Sequence, residues 1–197
     1  MPGRKYNKPG ELTDLWHWKS VRTEPNGQVD DGYVVDPSTG KCVGLNCRLA
    51  DGKTAGGYRD NNRAGFMAAC PGDPDGTGGF PCFMGPAGAE IVEDNRYWIL
   101  DQEKQPFVDA FKPGARVAGI VTAPFVGSRG EVSSRARYAD GQWTLEMKRA
   151  LTTPAGEAED VQFNDLTKSY EFGIAVFDNA QINHASHETV LRLTFLP

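Results

Sequence analysis

Apolar positions along the chain come in short alternating runs separated by turn residues, a pattern that predicts strands rather than long helices. Residues 1–11 are polar and rich in Gly, Pro and Lys, and read as an extended lead-in. The first strand is expected over residues 12–21. Within it, Leu15-Trp16-His17-Trp18-Lys19 puts Trp16 and Trp18 on one face and Leu15, His17 and Lys19 on the other. Order is expected again at 96–100 and at 117–122, a β-branched buried strand ended by Pro124. A hairpin follows, with arms 132–138 and 142–149 around Asp140-Gly141, the dipeptide favoured where both central turn residues need positive φ. In its second arm Trp143, Leu145 and Met147 alternate with Thr144, Glu146 and Lys148, which predicts one core face and one wet face. Strands at 170–177 and 190–195 close the chain, joined by a polar connection over 178–187 that carries His184 and His187.

Residues 26–88 read mostly as loop: Asp30-Asp31-Gly32, Asp36-Pro37-Ser38-Thr39-Gly40, Pro71-Gly72-Asp73-Pro74 and Gly78-Gly79 all carry turn chemistry. A loop this long inside a compact domain is expected to be functional or cross-linked. Four cysteines lie in it as two local pairs, Cys42 with Cys47 and Cys70 with Cys82, and loop-stapling disulfides are the simplest reading. They imply an oxidising compartment. A four-thiolate zinc site is the alternative, although the spacings are not those of a zinc ribbon. Neither pair forms a C-x-x-C-H motif, so this chain offers no covalent c-type haem attachment of that kind.

Composition narrows the picture. The 197 residues, 39% of them hydrophobic, suit a single domain with one core, and 23 glycines with 13 prolines favour a mainly β fold with little helix. A net charge of −5 argues against nucleic acid as a partner, since that surface needs clustered Lys and Arg. No run reaches the roughly 18 apolar residues of a membrane helix, and no apolar signal-peptide core follows the N-terminus, so no membrane span is expected.

Candidate chemistry concentrates in two places. Three histidines are present: His17 between two tryptophans, and His184 and His187 before the last strand. Haem iron takes imidazole or thioether ligands from opposite faces inside an apolar slot. Trp16, Trp18, Phe125, Phe172 and Phe177 are candidate wall residues, against the ordinary alternatives of a hydrogen-bonded strand histidine and core aromatics. No G-x-S-x-G elbow surrounds Ser128, and no nucleotide loop occurs, so no catalytic function of the chain's own is expected. Asp30, Asp31 and Asp36 lack the spacing of an EF-hand and are expected to form turns.

Several blocks, taken in order, resemble a known family. They are the run from Leu15 through Thr23 followed by Gly27-Gln28-Val29-Asp30-Asp31, then Tyr97-Trp98-Ile99-Leu100-Asp101, Trp143-Thr144-Leu145-Glu146, Asp160-Val161-Gln162-Phe163, and Phe172-Gly173-Ile174-Ala175-Val176-Phe177-Asp178-Asn179-Ala180-Gln181. Together they resemble the ethylbenzene dehydrogenase-related haem domain of γ-subunit type, within the DOMON-like group of antiparallel β-sandwiches. The resemblance implies a periplasmic or extracytoplasmic domain that holds one haem between its sheets. Such domains exchange electrons with c-type cytochromes or molybdenum oxidoreductase subunits. Some relatives ligate iron through Met and Lys, others through His. By position, one ligand is expected from His184, with His187 second, and the other from His17, with Met84 or Met1 as thioether substitutes. The haem is expected to be b-type in this chain. Relatives carry further strands before the Trp-His-Trp-Lys block, so the chain is expected to lack N-terminal strands of a longer parent, a partner that could also attach haem covalently. A non-haem DOMON-like module that binds a sugar or a partner protein is the alternative.

Overall fold

A computed structural model describes residues 12–35, 48–67, 69–76, 81–88, 97–154, 156, 159–178 and 184–196. Its strands are β1 (Leu12–His17), β2 (Asp30–Val35), β3 (Arg48–Ala50), β4 (Lys53–Asp60), β5 (Phe83–Met84), β6 (Trp98–Leu100), β7 (Gln105–Pro106), β8 (Ile120–Gly127), β9 (Ser133–Ala139), β10 (Gln142–Lys148), β11 (Ser169–Phe172), β12 (Ala175–Val176), β13 (Ala185–Ser186) and β14 (Leu191–Thr194). Among the described residues one short α-helix, α1 (Arg63–Phe66), interrupts them, so the mainly β expectation holds. Two compact units divide the chain, residues 1–161 and 162–197.

In the first unit β1, β2 and β3 form an antiparallel sheet in that order. A second sheet has the order β4-β8-β6, with β4 antiparallel and β6 parallel to the central strand β8. β9 pairs with β10, and β5 with β7. The second unit consists of two antiparallel pairs, β11 with β14 and β12 with β13.

The hairpin forms as its turn chemistry predicts. Asp140 and Gly141 both adopt positive φ, 52° and 77°, and Ala139 pairs with Gln142 across the turn. The predicted core face does not form, because Trp143 is 52% and Met147 44% exposed. Trp143 instead meets Trp18 edge-on at 5.1 Å and Tyr138 at 5.1 Å.

Three differences from the sequence expectation have physical causes. Pro124 does not end its strand: β8 continues to Gly127 through a register irregularity in which Pro124 and Phe125 lie opposite the single residue Gly56 of β4. Gly56 allows that close approach at φ +80°, where a Cβ would stand 1.7 Å from the Pro124 carbonyl oxygen. β1 stops at His17, because the chain then folds into a turn in which Thr23 and Glu24 donate to the Lys19 carbonyl. Within 26–88 the described residues 26–35, 48–67, 69–76 and 81–88 include the strands β2, β3, β4 and β5 and the helix α1 beside turns. There Asp30 and Asp31 are not turn formers; both are buried in β2.

The apolar core of the first unit gathers Phe66, Ile99, Ala118 and Val121 around the Cys70–Cys82 disulfide. This bridge bears out one of the two predicted pairs and takes both its thiols out of any zinc site. Cys42 and Cys47 lie outside the described residues.

Candidate functional site

Strand alternation sends the neighbours Asp30 and Asp31 to opposite faces of β2. On one face Asp30 pairs with His17 across β1 and β2 and sits fully buried among cations. Lys19 Nζ approaches its Oδ2 at 2.5 Å and Arg48 at 3.3 Å, while Arg129 holds Oδ1 at 2.6 Å. Burial alone would raise the Asp30 pKa, but hydrogen bonds from Arg129 and Lys19 and their charges hold it down at about 2. Lys19 is itself pushed down to about 8 by burial, and its ammonium lies 4.9 Å from the Tyr58 ring centre.

His17 joins this face. Arg48 Nη1 donates to His17 Nδ1 at 2.8 Å. Burial, with the charges of Lys19 and Arg48 added, lowers the imidazole to about 4, so the ring is neutral at pH 7. A guanidinium only donates, so the Nδ1 lone pair is engaged and the ring proton resides on Nε2. Iron ligation by His17 requires that arrangement to open. Trp16 and Trp18 face the other way: Arg149 lies over Trp16 at 5.1 Å, and Trp18 Nε1 donates to Glu24 at 2.6 Å. Phe125 is core, packed beneath Arg129 at 4.5 Å and edge-on to Tyr58. Met84 is half-buried on β5, two residues after disulfide-bonded Cys82, and Met1 lies outside the described residues.

In the second unit the two histidines flank β13. Val176 pairs with Ala185 and Ala175 with Ser186, so the same register sets Phe177 opposite His184 and Ile174 opposite His187. The contacts agree: the Phe177 and His184 rings lie 4.7 Å apart, and His187 N donates to the Ile174 carbonyl at 3.1 Å. Three residues apart on an extended segment, His184 and His187 point to opposite faces. Only one of them can face a haem lying against one side. His187 Nδ1 is 2.8 Å from the Thr189 carbonyl oxygen, a bond that places the proton on Nδ1. Ile174, Val176 and Phe177, on and beside the paired strand β12, are exposed, as is Phe172 on β11.

A porphyrin needs an axial ligand and an apolar wall. Unit two supplies an exposed imidazole beside an aromatic ring, on short strands whose apolar side chains face outward, which fits one wall and one axial ligand. Sequence reasoning found both histidines but missed their opposed directions, because β13 is only two residues long and sits in a polar connection. It also missed the buried carboxylates Asp14, Asp51 and Asp160, whose partners are distant in sequence.

Taken together, the chain is β-rich and disulfide-bonded, without a membrane-spanning helix among its described residues. The family model described as Ethylbenzene dehydrogenase matches residues 1–189. The chain belongs to that family. No curated protein and no solved structure gives a significant match.

Proposed function

We propose that this chain is a haem-binding electron-transfer domain that works with a multi-subunit oxidoreductase or a c-type cytochrome, and performs no bond-making chemistry itself. The observation that carries the reading is the family match over residues 1–189, together with the exposed His184–Phe177 pair. When bound, haem supplies a one-electron couple whose potential depends on its axial ligands and burial. His184 is the proposed axial ligand from the second unit, on the face it shares with the Phe177 ring. His187, held by Thr189, is the alternative. His17 is assigned a structural role, its Nδ1 bound by Arg48. The Cys70–Cys82 bridge supports an extracytoplasmic, periplasmic location, because disulfides persist where thiols are not kept reduced.

Titration of the full chain with haemin tests the reading: saturation at one haem per chain is expected, and absence of saturable binding contradicts it. A second reading, a non-haem module for a sugar or a partner protein, draws on the exposed Tyr138–Trp143 pair at the hairpin. Quenching of Trp143 fluorescence by a sugar, without haem uptake, would favour it.

A further inference from the structure

On the face of β2 opposite Asp30, carboxylates collect in the interior. Asp14, Asp31 and Asp160 each offer an oxygen within 4.8 Å of the others. Asp31 is 0% and Asp160 1% exposed, and Asp51, 1% exposed, and Glu131 join them. Arg149 is the one cation that pairs with them among the described ion pairs: its Nη1 reaches Asp14 at 2.6 Å and Asp160 at 2.9 Å, and its Nη2 donates to the Val161 carbonyl.

One arginine does not satisfy this many oxygens. Asp14 Oδ1, Asp31 Oδ2, both oxygens of Asp51 and Glu131 Oε1 are buried without a hydrogen-bond partner. Buried carboxylate oxygens normally have donors, and each orphan costs on the order of 1–3 kcal/mol or more. The opposite side of the same sheet shows the contrast, since Asp30 draws three cations there. Asp31, Asp51 and Glu131 take part in none of the ion pairs described, so burial is not matched there by a cation as it is at Asp30.

The donor set defines which partner suits it. It contains oxygen alone, without sulfur or imidazole, and comes from four separate segments: β1, β2, the β3–β4 turn and the stretch after β10. All-oxygen carboxylate sets suit hard cations, and calcium takes six to eight oxygens at about 2.4 Å. Two such bonds end to end span about 4.8 Å, so oxygens of Asp14, Asp31 and Asp160 that all lie within 4.8 Å of one another can reach one ion. Magnesium demands near-ideal octahedral geometry and keeps several waters, which a buried site disfavours.

We propose that Asp14, Asp31 and Asp160, assisted by Asp51, form a buried calcium site that ties β1 and β2 to the segment after β10. The site is independent of haem. It is not an EF-hand: its ligands come from distant parts of the chain, so bound calcium acts as a cross-link of the first unit.

The test uses the full chain stripped with EDTA, then titrated with calcium chloride while thermal unfolding is followed. Terbium, a lanthanide of similar size and coordination, gives a second readout, because Trp16 lies against Arg149 and can sensitise its luminescence. The expected results are a saturable rise in Tm with calcium, a smaller one with magnesium, and terbium emission that excess calcium displaces. Asp31→Asn keeps the shape but takes away the carboxylate that calcium would bind, so it should fold without calcium at least as stably as the parent. It should weaken calcium binding at least tenfold. Asp165→Asn, an exposed acid of the second unit, should leave the response unchanged. A parent chain showing neither Tm shift nor terbium emission overturns the proposal, as does an Asp31→Asn variant that responds like the parent.

Discussion

Asp30 and Asp31 are adjacent in one strand, yet Asp30 meets Lys19, Arg48 and Arg129 while Asp31 faces Asp14, Asp51 and Asp160. The sheet β1–β2–β3 therefore separates charge across its thickness. The cationic side holds a carboxylate of depressed pKa, and on the acidic side burial raises the pKa values of Asp14, Asp31 and Asp51.

The Asp30 side predicts a pH dependence. A carboxylate near 3.8 in the unfolded chain and about 2 in the folded one binds fewer protons when folded. Its stabilisation, about 2 kcal/mol, is complete above roughly pH 4 and is lost as pH falls through 2. Urea unfolding at pH 5 and pH 2.5 should show that loss in the parent, and a smaller pH-dependent change in Asp30→Asn. Equal changes in both would assign acid sensitivity to other groups.

Arg149 is buried and joins Asp14, Asp160 and the Val161 carbonyl. Removing one member of a buried ion pair leaves charges uncompensated, at about 3–5 kcal/mol. Arg149→Met should therefore destabilise the chain by that order in denaturant unfolding without added metal. Adding Asp14→Asn to Arg149→Met should restore part of the loss, so strictly additive effects would argue against direct coupling.

The Cys70–Cys82 bridge closes a segment of sequence separation 12 inside the apolar core. Chain-entropy arguments give about 3 kcal/mol for a loop of that length. The double variant Cys70→Ala with Cys82→Ala should lower the urea midpoint accordingly, with a further contribution from the lost core volume. An unchanged midpoint would mean that the loop is held without the bridge.

Gly56→Ala should be damaging out of proportion to its size. At φ +80° the new Cβ is strained, and it meets the Pro124 carbonyl oxygen at 1.7 Å. A loss of at least about 2 kcal/mol is expected. Gly88→Ala, with a positive φ of 58° but nothing within 4 Å, should cost less and separates backbone strain from the clash.

The parts of this fold visible in the sequence are those decided locally. Asp140-Gly141 sets its own turn, so the hairpin was legible, and a short spacing in loop chemistry marked Cys70 and Cys82. β2 was hidden because Asp30-Asp31-Gly32 has the local chemistry of a turn. Its strand conformation depends on Lys19, Arg48 and Arg129, which come from three other parts of the chain. Pro124 misled for the same reason, since its tolerance depends on Gly56 in another strand. Of the haem candidates, the histidines stood out by rarity alone, whereas the engagement of His17 by Arg48 and the opposed directions of His184 and His187 follow from pairing registers.

The most direct test of the central claim is the absorption spectrum of the haem-reconstituted full chain beside its His184→Ala and His17→Ala variants. The account predicts a Soret band with low-spin features in the parent, retained in His17→Ala and lost or converted to high spin in His184→Ala. No Soret band above that of free haemin in the parent chain would contradict it.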